Sequence, residues 1–259
     1  MTFDDITNTD QSWIEIDPSQ PMGGRSSARK VRNAHSEIAF FKSPPLHVQG
    51  NEVLAYVFGD KLGLPCAKVK FAKLFDDGNG SKPGILSFRV SGIETVDWPL
   101  VPSVVTSKPK KYIINLAHLP KIAIFDIWTY NTDRNQGNLV ISRKEEWTSQ
   151  YLLYMIDQEE CFYGYSPEHN RSETDGRWGN VNSFLSVQIL KDSVKFSEVE
   201  DFISEIEQLT DDNLKELIGL IPTEYYTPEQ TRAVFNLLQV RRNNLRQIIQ
   251  TWCTSENKL

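Results

Sequence analysis

Three polar side chains near the middle of the chain have the residue types and the spacing of a phosphoryl-transfer site. Asp133 and Asn138 lie five positions apart, between an apolar helical stretch and a strand-like one, and Asp157 follows a second strand-like run. In phosphoryl transfer one carboxylate orients the attacking hydroxyl, while an Asn and a second carboxylate hold magnesium. The pattern therefore predicts that Asp133 and Asn138 act in catalysis and that Asn138 and Asp157 bind the metal.

The surroundings of these residues favour a functional loop over an ordinary turn. Residues 131–138 place many hydrogen-bonding side chains between a buried helix and a buried strand, which a plain turn does not need. Asp157 directly follows Met155 and Ile156. A carboxylate at the end of a buried strand is costly unless it is paired or bound to a metal.

Candidates for binding the phosphates of a nucleotide lie earlier in the chain. Gly23 and Gly24 belong to a small, flexible segment whose backbone N–H groups can cover phosphates. Lys42 ends a strand-like run and can reach the α- and β-phosphates, and Glu52 on the next helix can pair with it. Taken singly, these features are more common as a plain turn, a solvated lysine and a surface carboxylate. Their order along the chain, ahead of Asp133, favours the kinase interpretation.

The first part of the chain is predicted to be a β-rich unit that carries one helix. Strand-like and helical runs give strands at residues 12–16, 28–31, 37–42, 67–75 and 84–90, and a helix at residues 48–62. Residues 96–116 contain several prolines and the basic run Lys108, Lys110 and Lys111. This stretch is predicted to connect two lobes.

The second part of the chain is predicted to be mainly helical. A nearly all-apolar helix begins near residue 116, and strands follow at residues 139–142 and 151–156. A long polar loop covers residues 163–183. Helices are then predicted from the cap Ser197 to Gln208, from Thr210 to near Pro222, and from Thr227 to about Trp252.

Together these elements predict an α+β fold, bilobal and protein-kinase-like. The N-lobe is assigned to residues 1–105 and the mainly helical C-lobe to residues 106–259. The predicted cleft between the two lobes holds ATP and Mg²⁺.

Composition narrows the class of protein. The net charge of −6 argues against direct nucleic-acid binding, which needs a strongly basic surface. The three cysteines, Cys66, Cys161 and Cys253, are widely spaced and predict reduced thiols in a cytoplasmic protein. The N-terminus lacks a signal-peptide pattern, and no apolar run is long enough to predict a membrane span.

At these motifs the chain resembles the HipA-like kinase family, in its short bacterial branch, a distant relative of phosphatidylinositol 3-/4-kinases and protein kinases. The resemblance covers residues 22–250, and its most specific part is the loop at residues 131–138. The other matching segments are residues 50–56, 62–65, 156–162 and 221–222, with Leu237, Leu238, Arg241, Arg242 and Leu245 near the end.

The resemblance implies a role for each matched residue. Lys42 becomes the nucleotide lysine and Glu52 its partner, Asp133 becomes the catalytic carboxylate, and Asn138 and Asp157 become magnesium ligands. The cofactors implied are ATP and Mg²⁺.

The resemblance also assigns the glycine-rich segment. Gly23, Gly24, Ser26 and Ser27 are implied to form the loop that contacts the cofactor. Some relatives carry a regulatory phosphoserine where Ser26 and Ser27 lie, although an unmodified, solvent-exposed serine remains the alternative.

One departure from the family lies inside the central loop. The family commonly has His after the Arg of this loop, whereas this chain has Asn135. If that His only supports the loop, activity is expected to remain with Asn135. The alternative is that the replacement weakens or alters catalysis.

The sequence favours transfer of the γ-phosphoryl group of ATP to a Ser or Thr of a protein. Relatives act in toxin–antitoxin systems, so an antitoxin is a candidate partner, but the sequence names no acceptor. The alternatives are a nucleotide-binding or partner-binding module that has lost catalysis, a lipid kinase of the phosphatidylinositol type, and transfer of AMP in place of phosphate.

Overall fold

The computed structural model describes residues 1–16, 28–76, 81–90, 92, 94–162 and 187–258. The predicted cofactor loop with Gly23, Gly24, Ser26 and Ser27 lies outside the described residues, as does the predicted polar loop at residues 163–183. The predicted lysine, its partner and the three central site residues all lie within them.

The first sheet has five antiparallel strands and one helix against it. The strands are β1 (Ile14–Glu15), β2 (Arg29–Arg32), β3 (Ile38–Lys42), β4 (Val69–Asp76) and β5 (Ser81–Phe88), in the order β1-β2-β3-β5-β4. Helix α1 (Leu46–Lys61) follows β3. Just beyond its last residue, Gly63 has a φ of +64°, in the left-handed region that glycine tolerates. The N–H of Leu64 closes the turn on the carbonyl of Gly59.

The alternation of side chains along β3 directs Lys42 to the α1 side of this sheet. Phe41 packs with Trp13 in a small cluster on one face. Lys42 is the next residue and therefore faces the opposite way. Its register partner on β5 is Ile85, which belongs to the large core that contains α1.

A second, three-stranded sheet carries the predicted metal segment. It consists of β6 (Glu94–Asp97), β7 (Leu139–Arg143) and β8 (Tyr151–Met155), in that order and antiparallel. The sequence predicted β7 and β8 but placed β6 at the start of a connection. The rest of that connection forms a 3-10 helix Trp98–Leu100 and two short helices, α2 (Ser103–Thr106) and α3 (Pro109–Tyr112).

The remaining helices form the second half of the molecule. They are α4 (His118–Thr129), α5 (Gln188–Ser193), α6 (Phe196–Glu207), α7 (Asp211–Ile218) and α8 (Pro228–Ser255). Thr210 and Thr227 cap α7 and α8 with the predicted side-chain hydrogen bonds. The prediction that Ser197 caps a helix is wrong, because α6 begins one residue earlier and Lys195 occupies the N-cap position without a side-chain bond.

One core joins the two halves. Phe58 of α1 packs edge-on against Trp128 of α4 with ring centroids 5.2 Å apart. The indole N–H of Trp128 donates to the carbonyl of Leu238 on α8. The α+β prediction is confirmed, with a β-rich half that carries one long helix and a mainly helical half. The lobe boundary at residue 105 stays a prediction.

All three cysteines are free thiols. In the described part of the chain, no helix combines the length and the apolar character that crossing a membrane requires.

Candidate active site

The loop that holds Asp133 begins where α4 ends. Tyr130 terminates α4 in the left-handed conformation, with φ of 57°, and turns the chain into the loop. The side-chain oxygen of Asn131 accepts a hydrogen bond from the Asp133 N–H at 3.1 Å. Asp133 is exposed, and within the described ranges no residue hydrogen-bonds to its carboxylate. Its oxygens are therefore available to a hydroxyl group from outside.

The pairing of β7 with β8 brings the two predicted metal ligands to the same place. Leu139 is the register partner of Met155, and the Ile156 N–H donates to the carbonyl of Asn138 at 3.1 Å. Asn138 and Asp157 therefore lie at the ends of adjacent strands. The amide nitrogen of Asn138 donates to the carbonyl of Asp133 at 2.7 Å, which ties the metal position to the catalytic loop.

Asp157 adopts a conformation that L-residues seldom use. Its φ is 56°, in the left-handed region. Asp tolerates this region better than most residues, and such strain concentrates at functional sites. The turn at Asp157 takes the chain out of the strand direction and toward Lys42.

Lys42 is the centre of a cluster of three carboxylates. Its Nζ lies 3.0 Å from Oδ1 of Asp157, 3.1 Å from Oε1 of Glu159 and 3.5 Å from Oε2 of Glu52. The predicted pair of Lys42 with Glu52 is present. Glu159 was not predicted, because one acidic residue among several in residues 157–160 gives no spacing signal; its position two residues after Asp157 is the only hint.

The cluster holds more negative than positive charge. Burial alone would lower the pKa of Lys42, but the surrounding carboxylates outweigh it and raise that pKa well above the usual range. Burial raises the pKa of Glu52 to about 8, against the attraction of Lys42. Glu52 is 1% exposed, and neither of its oxygens accepts a hydrogen bond from the part of the chain that the structure describes. Burial therefore favours the protonated form of Glu52.

The raised pKa of Glu52 predicts a pH-dependent stability. Between about pH 5 and pH 8 the folded protein holds a proton that the unfolded chain releases, so Glu52 lowers the free energy of unfolding as pH rises. Glu52→Gln cannot titrate. From pH 5 to pH 8 the unfolding free energy of this variant should therefore rise relative to that of wild type, by more than about 1 kcal/mol. Urea unfolding in a chelator measures this.

The control for that experiment is Glu216→Gln, which changes an exposed carboxylate on α7. Its difference from wild type should be the same at both pH values. If the difference between Glu52→Gln and wild type is also the same at pH 5 and at pH 8, Glu52 is ionised throughout this pH range.

Helix α1 is fixed next to the cluster by contacts to the second half of the chain. The Tyr226 hydroxyl donates to the side-chain oxygen of Asn51 at 2.6 Å, and the Asn51 amide donates to the carbonyl of Glu159 at 3.1 Å. A Cβ at Gly50 would lie 2.7 Å from the Tyr226 ring, so only glycine allows this approach. Asn51 therefore fixes both the helix that carries Glu52 and the segment that carries Glu159.

Tyr226→Phe should loosen this link. The ring stays, but buried Asn51 loses a hydrogen-bond donor, which costs about 1–3 kcal/mol of unfolding free energy. Affinity for ATP with magnesium should fall in the same variant, because Glu52 no longer has a fixed position beside Lys42. Denaturant unfolding and titration calorimetry measure the two effects. Tyr225→Phe is the matched control, since its hydroxyl bonds to Glu224 outside the site; equal loss of affinity in both variants would contradict the link.

A buried arginine holds the loop of residues 131–138 and the segment after β8 together. The Nε and Nη2 of Arg134 pair with both oxygens of Asp126 on α4 at 2.8 and 3.0 Å. Its Nη1 donates to the carbonyls of Asn138 and Ile156 at 2.9 and 3.0 Å, and Nη2 also donates to Gln158 at 2.7 Å. Every donor position of the guanidinium therefore has a partner.

Sequence reasoning missed this network. Arg134 was treated only as part of the loop, and Asp126 lay unnoticed inside an apolar helix. A single carboxylate in such a helix was the available signal, because a buried charge needs a partner. Both side chains are 0% exposed.

Asn135 supports the loop. Its side-chain oxygen accepts from the N–H of Gly137 at 2.8 Å and caps the 3-10 helix Gln136–Asn138, and its amide donates to the carbonyl of Asp133 at 3.2 Å. Asn135 is exposed. Its effect on catalysis stays a prediction.

A small apolar cluster adjoins the metal segment. Ala67, Val90 and Val140 are buried together, with Tyr154 and Ile156 packed against them. Ile156 directly precedes Asp157. Sequence reasoning did not identify this cluster, because its members come from four separate parts of the chain.

The donor set suits a hard divalent cation. One carboxylate oxygen each from Glu52, Asp157 and Glu159 lies within 4.8 Å of the others. Asn138 directly precedes β7, the strand that pairs with β8. Magnesium prefers oxygen ligands of this kind. Asp157 keeps 37% of its side chain exposed and can contact a ligand from solvent.

Comparison with known proteins supports the fold. No family model matches the chain, and no curated protein matches its sequence. Among solved structures it is similar to the Helicobacter pylori proinflammatory kinase CtkA, with a TM-score of 0.61 and 14% identity over 92% of this chain and 95% of that one. It is also similar to the Golgi casein kinase with Mn and ADP bound, with a TM-score of 0.51 and 13% identity over 96% of this chain and 75% of that one. The predicted kinase-like α+β fold is confirmed.

Proposed function

We propose that the protein is a kinase that uses ATP and Mg²⁺ to phosphorylate a hydroxyl group, with Ser or Thr of a protein as the acceptor. One observation carries the proposal: Lys42, Glu52 and Asp157 form one partly buried cluster although they come from three separate parts of the chain. The loop with Asp133 adjoins this cluster through Asn138. The fold is the one that kinases use, and the neighbour with Mn and ADP bound supports a nucleotide and a divalent metal.

Each residue has one task in the proposed reaction. Lys42 holds the α- and β-phosphates, and Glu52 keeps its side chain extended. Asn138 and Asp157 would hold the metal, which would supply positive charge against the negative charge that develops on the phosphates. Asp133 accepts a hydrogen bond from the acceptor hydroxyl and directs its oxygen at the γ-phosphorus. The new O–P bond forms as the bond from the γ-phosphorus to the β–γ bridging oxygen breaks, so that ADP leaves and the hydroxyl proton passes to the Asp133 carboxylate.

The apolar cluster around Ala67, Val90 and Val140 is the proposed site for the adenine base. It lies beside Ile156, one residue before the metal ligand Asp157. In this proposal the base packs against the cluster while its phosphates extend toward Lys42.

The finer identity of the protein is part of the proposal. The HipA-like relationship, an antitoxin partner and the division into lobes near residue 105 rest on the sequence motifs. Gly23, Gly24, Ser26 and Ser27 are proposed to cover the phosphates of the cofactor. We favour a protein acceptor over a lipid because the basic run proposed to face a membrane, Lys108, Lys110 and Lys111, is short.

Asp133→Ala tests the proposal. Purified wild type should transfer the γ-phosphoryl group of ATP to a protein, and the variant should bind ATP with magnesium normally but transfer none. Calorimetry measures the binding, and mass spectrometry distinguishes a gain of phosphate from a gain of AMP. Phosphoproteomics of cells that express either form identifies the acceptor. Equal phosphorylation by both forms would refute the catalytic role of Asp133.

A nucleotide-binding module without transfer is the second candidate. The ion pair of Glu159 with Lys42 favours it, because Lys42 must exchange that partner for phosphates. Binding of ATP without transfer to any protein would support this alternative.

A further inference from the structure

One stretch of this acidic protein contains no acidic residue. The chain has a net charge of −6, yet no Asp or Glu occurs between Asp97 and Asp126. Lys108, Lys110 and Lys111 lie in this stretch and are all exposed. The stretch is therefore a local basic region on a protein whose overall charge is negative.

The same stretch exposes large apolar side chains. Leu100 is 73% exposed, Val104 52% and Ile114 51%. Their neighbours Trp98, Val101, Val105 and Ile113 already anchor the stretch in the core. Isolated exposed apolar residues are ordinary, but several in one short basic stretch indicate an interaction surface.

This docking surface, residues 98–114, begins beside the catalytic loop. Asp97 pairs with Val140 at the end of β7 that follows Asn138. The 3-10 helix Trp98–Leu100 packs against the 3-10 helix Gln136–Asn138. The 3-10 helix that includes the exposed Leu100 therefore lies beside the end of the loop that presents Asp133.

The docking surface ends at the opposite end of the second sheet. The Ile114 N–H donates to the carbonyl of Tyr151, the first residue of β8, at 3.0 Å. The five residues of β8 separate this point from the metal segment, a distance of about 15 Å. An extended peptide can span that length.

We propose that residues 98–114 bind an acidic segment of the protein acceptor that also carries apolar side chains, and that this docking delivers the acceptor hydroxyl to Asp133. The inference rests on the proposed kinase function and adds the chemical class of the substrate. Carboxylates of the acceptor pair with Lys108, Lys110 and Lys111. Its apolar side chains cover Leu100, Val104 and Ile114.

An anionic membrane fits this surface less well. Helices α2 and α3 have four residues each, too short to lie in a bilayer interface as an amphipathic helix. The net charge of −6 would also oppose approach to an anionic membrane.

The test compares two fluorescent peptides that differ only in charge. Both carry a central Ser and Leu residues, one with flanking Glu and the other with flanking Lys. Fluorescence anisotropy measures binding to wild type and to a variant with Lys108→Glu, Lys110→Glu and Lys111→Glu. The matched control carries Lys61→Glu, Lys195→Glu and Lys215→Glu, three exposed lysines on other elements, and so has the same net charge. Calorimetry with ATP checks that every variant is folded.

Wild type and the control should bind the acidic peptide about tenfold more tightly than the basic one, and the docking variant should lose that preference. Leu100→Ser should weaken the acidic peptide without changing ATP binding. Equal binding of both peptides, or an equal loss in the control, would overturn the proposal. The proposal would also be overturned if neither peptide binds and the protein instead binds phosphatidylserine vesicles through these lysines. If the acidic peptide binds as expected but receives no phosphate, the docking surface stands and the kinase function fails.

Discussion

Asp157→Asn is expected to abolish magnesium-dependent ATP turnover, lowering it by about a hundredfold to a thousandfold. The substitution keeps the size of the side chain and removes the charge that the metal needs. It also removes one ion pair of Lys42, at 3.0 Å. The remaining carboxylates, Glu52 and Glu159, still hold Lys42, so the protein should fold.

Affinity measurements give this prediction a second readout. Calorimetry should show that Asp157→Asn weakens ATP binding in magnesium, because the metal loses a ligand. Without magnesium the same variant should bind ATP at least as tightly as wild type, since one negative charge near the phosphates is gone. A general loss of structure would weaken ATP binding both with and without magnesium.

Asp201→Asn is the matched control, an exposed carboxylate on α6 changed in the same way. It should turn over ATP like wild type. If Asp157→Asn also does so, the metal assignment is wrong.

The part of the site that could be predicted from the sequence consists of contacts between elements that are neighbours along the chain. Asp133 and Asn138 share one loop, and Asp157 follows the strand that pairs with the one after Asn138, so a hairpin is enough to bring them together. The contact of Lys42 with Glu52 also joins neighbouring elements, β3 and α1. Such contacts leave a spacing pattern in the sequence.

The part that could not be predicted depends on distant contacts. Tyr226 and Asn51 are 175 positions apart, and nothing around either residue indicates the other. Glu159 becomes a partner of Lys42 only because the chain turns at Asp157 with a positive φ. Strand β6 was missed because its four residues are exposed or half-buried and do not alternate, and pairing with β7 stabilises it.

Arg134→Met is expected to destabilise the fold by about 3–5 kcal/mol, because it leaves Asp126 as an unpaired charge in the core. Domains are stable by only about 5–15 kcal/mol, so a large share of the stability is at stake. Arg134→Lys should cost nearly as much, since a lysine cannot reproduce the paired donors to Asp126 together with those to Asn138, Ile156 and Gln158. Urea unfolding at neutral pH measures both variants.

A double variant separates the cost of the orphaned charge from that of the lost loop contacts. Arg134→Met with Asp126→Leu removes both charges, so it should cost less than the sum of the two single changes. It should still be less stable than wild type, because the carbonyls of Asn138 and Ile156 lose their donor. Arg246→Met is the control: Arg246 also forks onto a carboxylate, Glu207 at 2.8 Å, but both side chains are partly exposed and its loss should cost about 1 kcal/mol or less. If Arg134→Met costs no more than Arg246→Met, the buried network does not hold the catalytic loop to the metal segment.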